Sequence, residues 1–186
     1  MNKPYTTKLD VENYLMKTID SSFDSQMSTW ILAMSRWADN YCNRVLFDDE
    51  ETTMLYDGNL NNILLVKDVC AISEVKIDGT ITTGYFKYPQ GKEYTSRIAL
   101  QDQYFPKGMQ NISVKGKHAM SASLKDDVKF AVTVLVAGIV NSSILGVKKG
   151  TTEKIGGYSI TYNSGSQDND YATAKQILSG YRRIAL

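Results

Sequence analysis

Residues that usually carry chemistry are scarce in this chain. Of 186 residues, one is histidine, two are cysteine and three are proline. His118 stands without a Cys-x-x-Cys or His-x-x-x-His partner set, so the ligand spacing of a zinc site is missing. It is also the one imidazole that a serine nucleophile could use as a base, and there is no Gly-x-Ser-x-Gly elbow. An exposed or structural role is expected for it. No P-loop and no Gly-x-Gly-x-x-Gly occurs, and Gly156-Gly157 reads as a turn, not a phosphate cradle. Asp48-Asp49-Glu50-Glu51 brings four carboxylates together with nothing to orient them, as in a solvated turn. No pair of carboxylates can be set around a cleft. The sequence therefore leads us to expect no enzyme, no cofactor and no metal.

Cys42 falls in a helical pattern and Cys70 near a strand; both are expected as reduced, partly buried small hydrophobes. An excess of charge is missing too. Lys and Arg number 21 against 20 Asp and Glu, a net +1, whereas a protein that grips nucleic acid by neutralising phosphates carries a clear basic excess. Near-neutrality still allows a channel through which DNA slides. The opening Met1-Asn2-Lys3-Pro4-Tyr5 has no apolar signal-peptide core, so a cytoplasmic protein is expected. Phe130 to Val147 is free of charge, but Thr133, Gly138, Asn141, Ser142, Ser143 and Gly146 interrupt it. It reads as a helix buried on several sides, not as a membrane span. Asn111-Ile112-Ser113 and Asn141-Ser142-Ser143 are chance matches to a glycosylation sequon.

What is present is a clear succession of periodicities. Residues 7–19 read as a short helix with Leu9, Tyr14, Leu15 and Ile19. Turn formers over 20–25 precede a second helix, about 25–44, in which Met27, Trp30, Ile31, Met34, Trp37, Ala38, Tyr41 and Cys42 recur at three- and four-residue steps. Its aromatics are expected in the core. Short runs rich in β-branched and aromatic residues follow at 52–56, 63–66, 72–77, 84–88, 97–100 and 111–115. Asp78-Gly79 is a strong hairpin signal. Roughly 52–117 is thus a β-rich insertion. A long helix over about 124–145 is expected next, capped by Ser121 or Ser123, with Asp126 and Asp127 in its first turn and Gly146 as terminator. Residues 147–168 read as an exposed loop or hairpin around one strand at 158–162, and 168–182 as a final helix with Tyr171, Ala174, Ile177, Leu178 and Tyr181. The expected fold is α+β: a bundle of about four helices with a β-rich insertion between the second helix and the long one, the whole chain forming one domain.

Several phrases, in this order, resemble the head–tail connector (adaptor) family of tailed bacteriophages. They are Trp37-Ala38-Asp39-Asn40-Tyr41-Cys42-Asn43-Arg44, Leu55-Tyr56-Asp57-Gly58, Leu64-Leu65-Val66 with Ile72 to Gly79, Asn111 to Gly116, Glu153-Lys154-Ile155-Gly156-Gly157-Tyr158 to Tyr162, and Ile177-Leu178-Ser179-Gly180-Tyr181-Arg182-Arg183. Together they span roughly 25–183. Many members carry Pro just before the long helix, where this chain has Ser121-Ala122-Ser123.

The resemblance implies a structural virion protein of the neck, between capsid and tail, assembled in the host bacterial cytoplasm. Its partners would be copies of itself in a ring of twelve, the portal protein, and the next neck or tail connector. It would touch genomic DNA transiently and without sequence preference, and no membrane. The residues expected to bind partners are Glu153, Lys154, Ile155 and Tyr158 in the loop, and Tyr181, Arg182, Arg183, Ile184 and Leu186 at the end of the chain. Twelve tyrosines and five phenylalanines suit a subunit with lateral contacts. The alternatives are a tail-completion or stopper protein, which would be mainly β, or a small DNA-binding or hydrolytic protein, which would need a basic helix or a catalytic constellation.

Overall fold

The computed structural model describes residues 3–144, 152–155, 158–161 and 165–183. The chain divides into two compact units, Met1–Asn43 with Lys125–Leu186, and Arg44–Leu124. The first holds the helices and one short hairpin, and the second is built of strands, so the class is mixed α+β. The β-rich stretch expected within a single domain is the second of these units.

In the helical unit, α1 (Lys8–Leu15) is followed by a 3-10 turn (Ser21–Phe23), α2 (Asp24–Cys42), α3 (Asp126–Ser143) and α4 (Gly165–Ser179). α1 starts on a capping box, in which the Thr7 side chain accepts from Asp10 N and the Asp10 carboxylate accepts from Thr7 N. α2 buries Met27, Ile31, Ser35, Ala38 and Cys42, steps of four, four, three and four that make one stripe. It ends on Asn43 in the left-handed region, which a short polar side chain tolerates. α3 is packed against α1, α2 and α4, and Val128, Ala131 to Gly138 and Val140 are all buried. That is why its sequence carries no charge after Lys129. No helix among the described residues is long and apolar enough to cross a membrane.

Three expectations need correction here. Trp30, Trp37 and Tyr41 are half-buried, not core, because they flank the buried stripe of α2. α3 does not use a serine cap: Lys125 holds the cap position with no side-chain hydrogen bond. Ser121 is instead buried in the β unit, in a parallel bridge with Phe47. Of the loop or hairpin expected over 147–168, the described part is a hairpin of two strands, β8 (Thr152–Ile155) and β9 (Tyr158–Thr161), and α4 already begins at Gly165. Gly146, Gly156 and Gly157 lie outside the described residues.

The β unit holds β1 (Glu51–Gly58), β2 (Ile63–Val69), β3 (Ala71–Ile77), β4 (Thr80–Ile81), β5 (Tyr85–Tyr88), β6 (Thr95–Leu100) and β7 (Gly108–Lys117). They form two antiparallel sheets, β1-β7-β3-β4 and β2-β6-β5. Leu64, Val66, Val69, Val75, Ile98, Leu100, Phe105, Ile112 and Val114 cluster as its core. Asp78 and Gly79 link β3 to β4 with φ of 48° and 80°, the two positive values of a type I′ turn. Gly116 is required by a close approach: a Cβ there would lie 2.1 Å from the Ala71 carbonyl oxygen. Asn111 clips the far end of β7, accepting from Gly58 N at 2.9 Å and donating to the Pro106 carbonyl at 3.0 Å.

Candidate functional site

The end of α4 lies against the end of α2. Tyr181 N and Arg182 N donate to the carbonyls of Leu178 and Ser179, closing the helix, and Arg183 N donates to the Cys42 carbonyl at 2.8 Å. The phrases Trp37–Arg44 and Ile177–Arg183 therefore come together through Cys42 and Arg183. Leu178 and Ala174 are the buried contacts of α4, and the Cys42 thiol reaches the Leu178 carbonyl at 3.5 Å. Tyr181 turns the other way, its hydroxyl donating to Asp127 Oδ2 in the first turn of α3 at 2.5 Å.

This packing leaves an aromatic and cationic face at the surface. The rings of Trp37 and Tyr41, one helical turn apart, stack with centroids 5.2 Å apart. Tyr171 tilts against Trp37 at 5.1 Å. Lys175 Nζ lies 4.4 Å from the Tyr171 ring centroid and 6.0 Å from that of Tyr41. The Arg182 guanidinium lies 5.1 Å from the Tyr41 ring centroid. Each cation is within the distance at which a ring quadrupole attracts it. The rings hold the two cations in place while Arg182 remains exposed and Lys175 partly so. Burial raises the carboxyl of Asp170, the residue before Tyr171, above its usual range.

Among the described residues no group of three or more His, Cys, Asp or Glu could hold a metal. His118 is far from the free solvent expected of a general base. It is buried in the β unit with Nε2 3.2 Å from the Val114 carbonyl, and burial lowers its pKa. Cys42 is buried and Cys70 half-buried, and both are free thiols. Burial is the main cause that pushes the Cys70 thiol upward.

Of the residues expected to bind partners, Arg182 lies on the α2–α4 face, Arg183 holds the Cys42 carbonyl beside it, and Tyr181 turns away toward Asp127. Ile184 and Leu186 are outside the described residues. Glu153, Lys154, Ile155 and Tyr158 sit in the β8–β9 hairpin, where Ile155 pairs with Tyr158 and Lys154 with Ser159. Sequence reasoning missed Trp37, Tyr41, Tyr171 and Lys175 as surface groups. The signal was available: Trp37 with Tyr41, and Tyr171 with Lys175, are both four apart, so each pair shares one helix face. No protein-family model matches this chain, and no curated protein matches it.

Proposed function

We propose that this protein is a head–tail adaptor: a structural subunit that assembles into a ring of copies beneath the portal, extends the DNA channel and joins head to tail. In this reading the helices form the bundle of the adaptor and the β unit is its insertion. The observation that carries it is the α2–α4 face. Trp, Tyr and Arg are the residues that dominate protein–protein binding energy. Here Trp37, Tyr41, Tyr171 and Arg182 occupy one surface of the helical unit, next to the segment that leads into Ile184-Ala185-Leu186. The apolar end would enter a pocket of the portal, with the arginines at its rim. The element order supports the same reading, with two helices, a β segment, a long apolar helix, a hairpin and a last helix. A net charge of +1 suits a channel that must release DNA.

Electron microscopy of this protein mixed with the portal of the same phage tests the proposal. An added ring on one end of the portal is the expected result, weakened by deletion of Ile184 to Leu186 without loss of the fold. Bare portals at high protein excess would overturn it. Unchanged docking by the truncated chain would remove the tail from the binding surface.

A further inference from the structure

The outward face of the sheet β2-β6-β5 is apolar and carries positive charge without negative charge. Side chains alternate across a sheet, so residues directly paired share a face. The pairing sets Leu64 against Ile98, both buried, and the next residues along point outward. One outward row is Ile63, Ala99 and Phe86; the next is Leu65, Arg97 and Tyr88. Leu65 is 67% exposed, Phe86 46%, and Ile63 and Tyr88 39% each. Lys67 continues the odd-numbered row of β2 and is exposed. Arg97 stands at the middle of the patch on the central strand, exposed, and pairs with no carboxylate among the described residues.

We infer that this face is a docking site for an amphipathic helix of another protein whose apolar stripe carries an aspartate or glutamate. Charge selects the occupant. A second copy placed face to face would bring Arg97 against its own counterpart near the two-fold axis, along with two apolar rows and no acid to offset it. An acidic group set among apolar side chains meets both requirements of the face. Shape selects a helix. Three strands at a spacing of about 4.8 Å give a patch about 10 Å across, the width of one helix. A helix laid on the solvent face of a sheet is also the ordinary way in which such a face is covered. The site lies in the β unit and does not rest on the adaptor reading.

The probe is a fluorescent amphipathic peptide of about eighteen residues, about five helical turns, with leucines along one stripe and a single glutamate at its centre. Its twin has lysine in place of that glutamate. Binding to the full chain is read by fluorescence anisotropy, with sedimentation to follow self-association. The glutamate peptide is expected to bind the wild-type chain roughly tenfold more tightly than its twin. Arg97→Glu should reverse that preference, and Leu65→Asp should remove binding of both, with circular dichroism unchanged. Equal binding of the twins, or a preference that survives Arg97→Glu, overturns the proposal. So does a dimer of the chain that Leu65→Asp dissociates, since the occupant would then be a second copy. Should Leu65→Asp fail to fold, the charge reversal at Arg97 decides alone.

Discussion

Among the described residues, the polar groups buried in the helical unit are small, neutral hydroxyls. Ser35 accepts from Tyr5 N at 2.9 Å and donates to the Ile31 carbonyl at 2.8 Å. Thr133 donates to the Lys129 carbonyl at 2.8 Å, which leaves its oxygen to accept from the Thr6 hydroxyl at 2.6 Å. The β unit instead buries ionisable groups. Arg44 meets Asp68 Oδ2 through two nitrogens, each at 2.7 Å, with both side chains under a tenth exposed. The guanidinium also lies 4.2 Å from the centre of the Tyr94 ring, and His118 is buried nearby in sequence to β7. A hydroxyl satisfied by backbone costs little when removed, whereas a buried charge deprived of its partner costs several kcal/mol. The two units should therefore respond to different perturbations.

The largest effect is expected from Arg44→Ala, which strands the Asp68 carboxylate and should cost the β unit about 3–5 kcal/mol. The two tryptophans of the chain, Trp30 and Trp37, both lie in α2, so their fluorescence reports the helical unit alone. In urea, hydrogen exchange of β7 should collapse early in this variant while tryptophan fluorescence keeps its midpoint. Coincident movement of both probes would break the comparison. Leu178→Ala should do the reverse. It empties a fully buried position of α4 and should cost about 2–5 kcal/mol, seen in tryptophan fluorescence first. Gly116→Ala forces a Cβ toward the Ala71 carbonyl and should cost the β unit about 1–3 kcal/mol, measured by the same exchange experiment.

Acid gives the finest distinction. The pKa of His118 is lowered mainly by burial, with Lys67 acting in the same direction and the backbone at Val114 and Thr52, then Asp48, opposing it. Below the unfolded histidine value of about 6.5 the unfolded chain takes up a proton that the folded β unit refuses. Its stability should therefore fall as pH drops through and below that value, and His118→Gln should flatten the fall. In the helical unit burial tends to raise the Asp10 carboxyl, but hydrogen bonds from Lys129 and Thr7 together outweigh it and lower the pKa. Stability from Asp10 is present above the ordinary carboxylate range and lost only as pH falls through and below it. Loss of the tryptophan-reported unit near neutral pH, with the β unit intact, would contradict this ordering.

Much of the architecture was legible in local pattern. Six of the β runs appear as strands β1, β2, β3, β5, β6 and β7, because alternation and Gly or Pro punctuation are written residue by residue. β4 and β8 were not seen. β4 has two residues, Thr80 and Ile81, and exists by pairing with Ile77 and Lys76. β8 has charged residues at Glu153 and Lys154 and exists by pairing with β9. The serine cap failed for a similar reason. Ser121 has the right chemistry for a cap, but its backbone is engaged by the bridge to Phe47. As for the site, Tyr181, Arg182 and Arg183 were marked from sequence, whereas Trp37 and Tyr41 were consigned to the core. An aromatic next to a buried stripe can turn inward or outward, and the neighbouring helix decides which.

The sequence by itself determined the number, order and kind of the main elements, the burial of α3 through its uncharged run from Phe130 onward, and the turn at Asp78-Gly79, since these depend on periodicity and on the φ that each residue tolerates. Only the tertiary structure decided that Arg44 would find Asp68, 24 positions away, that Trp37 and Tyr171 would share a surface, and that Ile63, Leu65, Phe86 and Tyr88 would align on one outward face around Arg97. The reason is physical. Those juxtapositions arise from the register and packing of elements distant in the chain, and no local propensity encodes the partner that a side chain will meet.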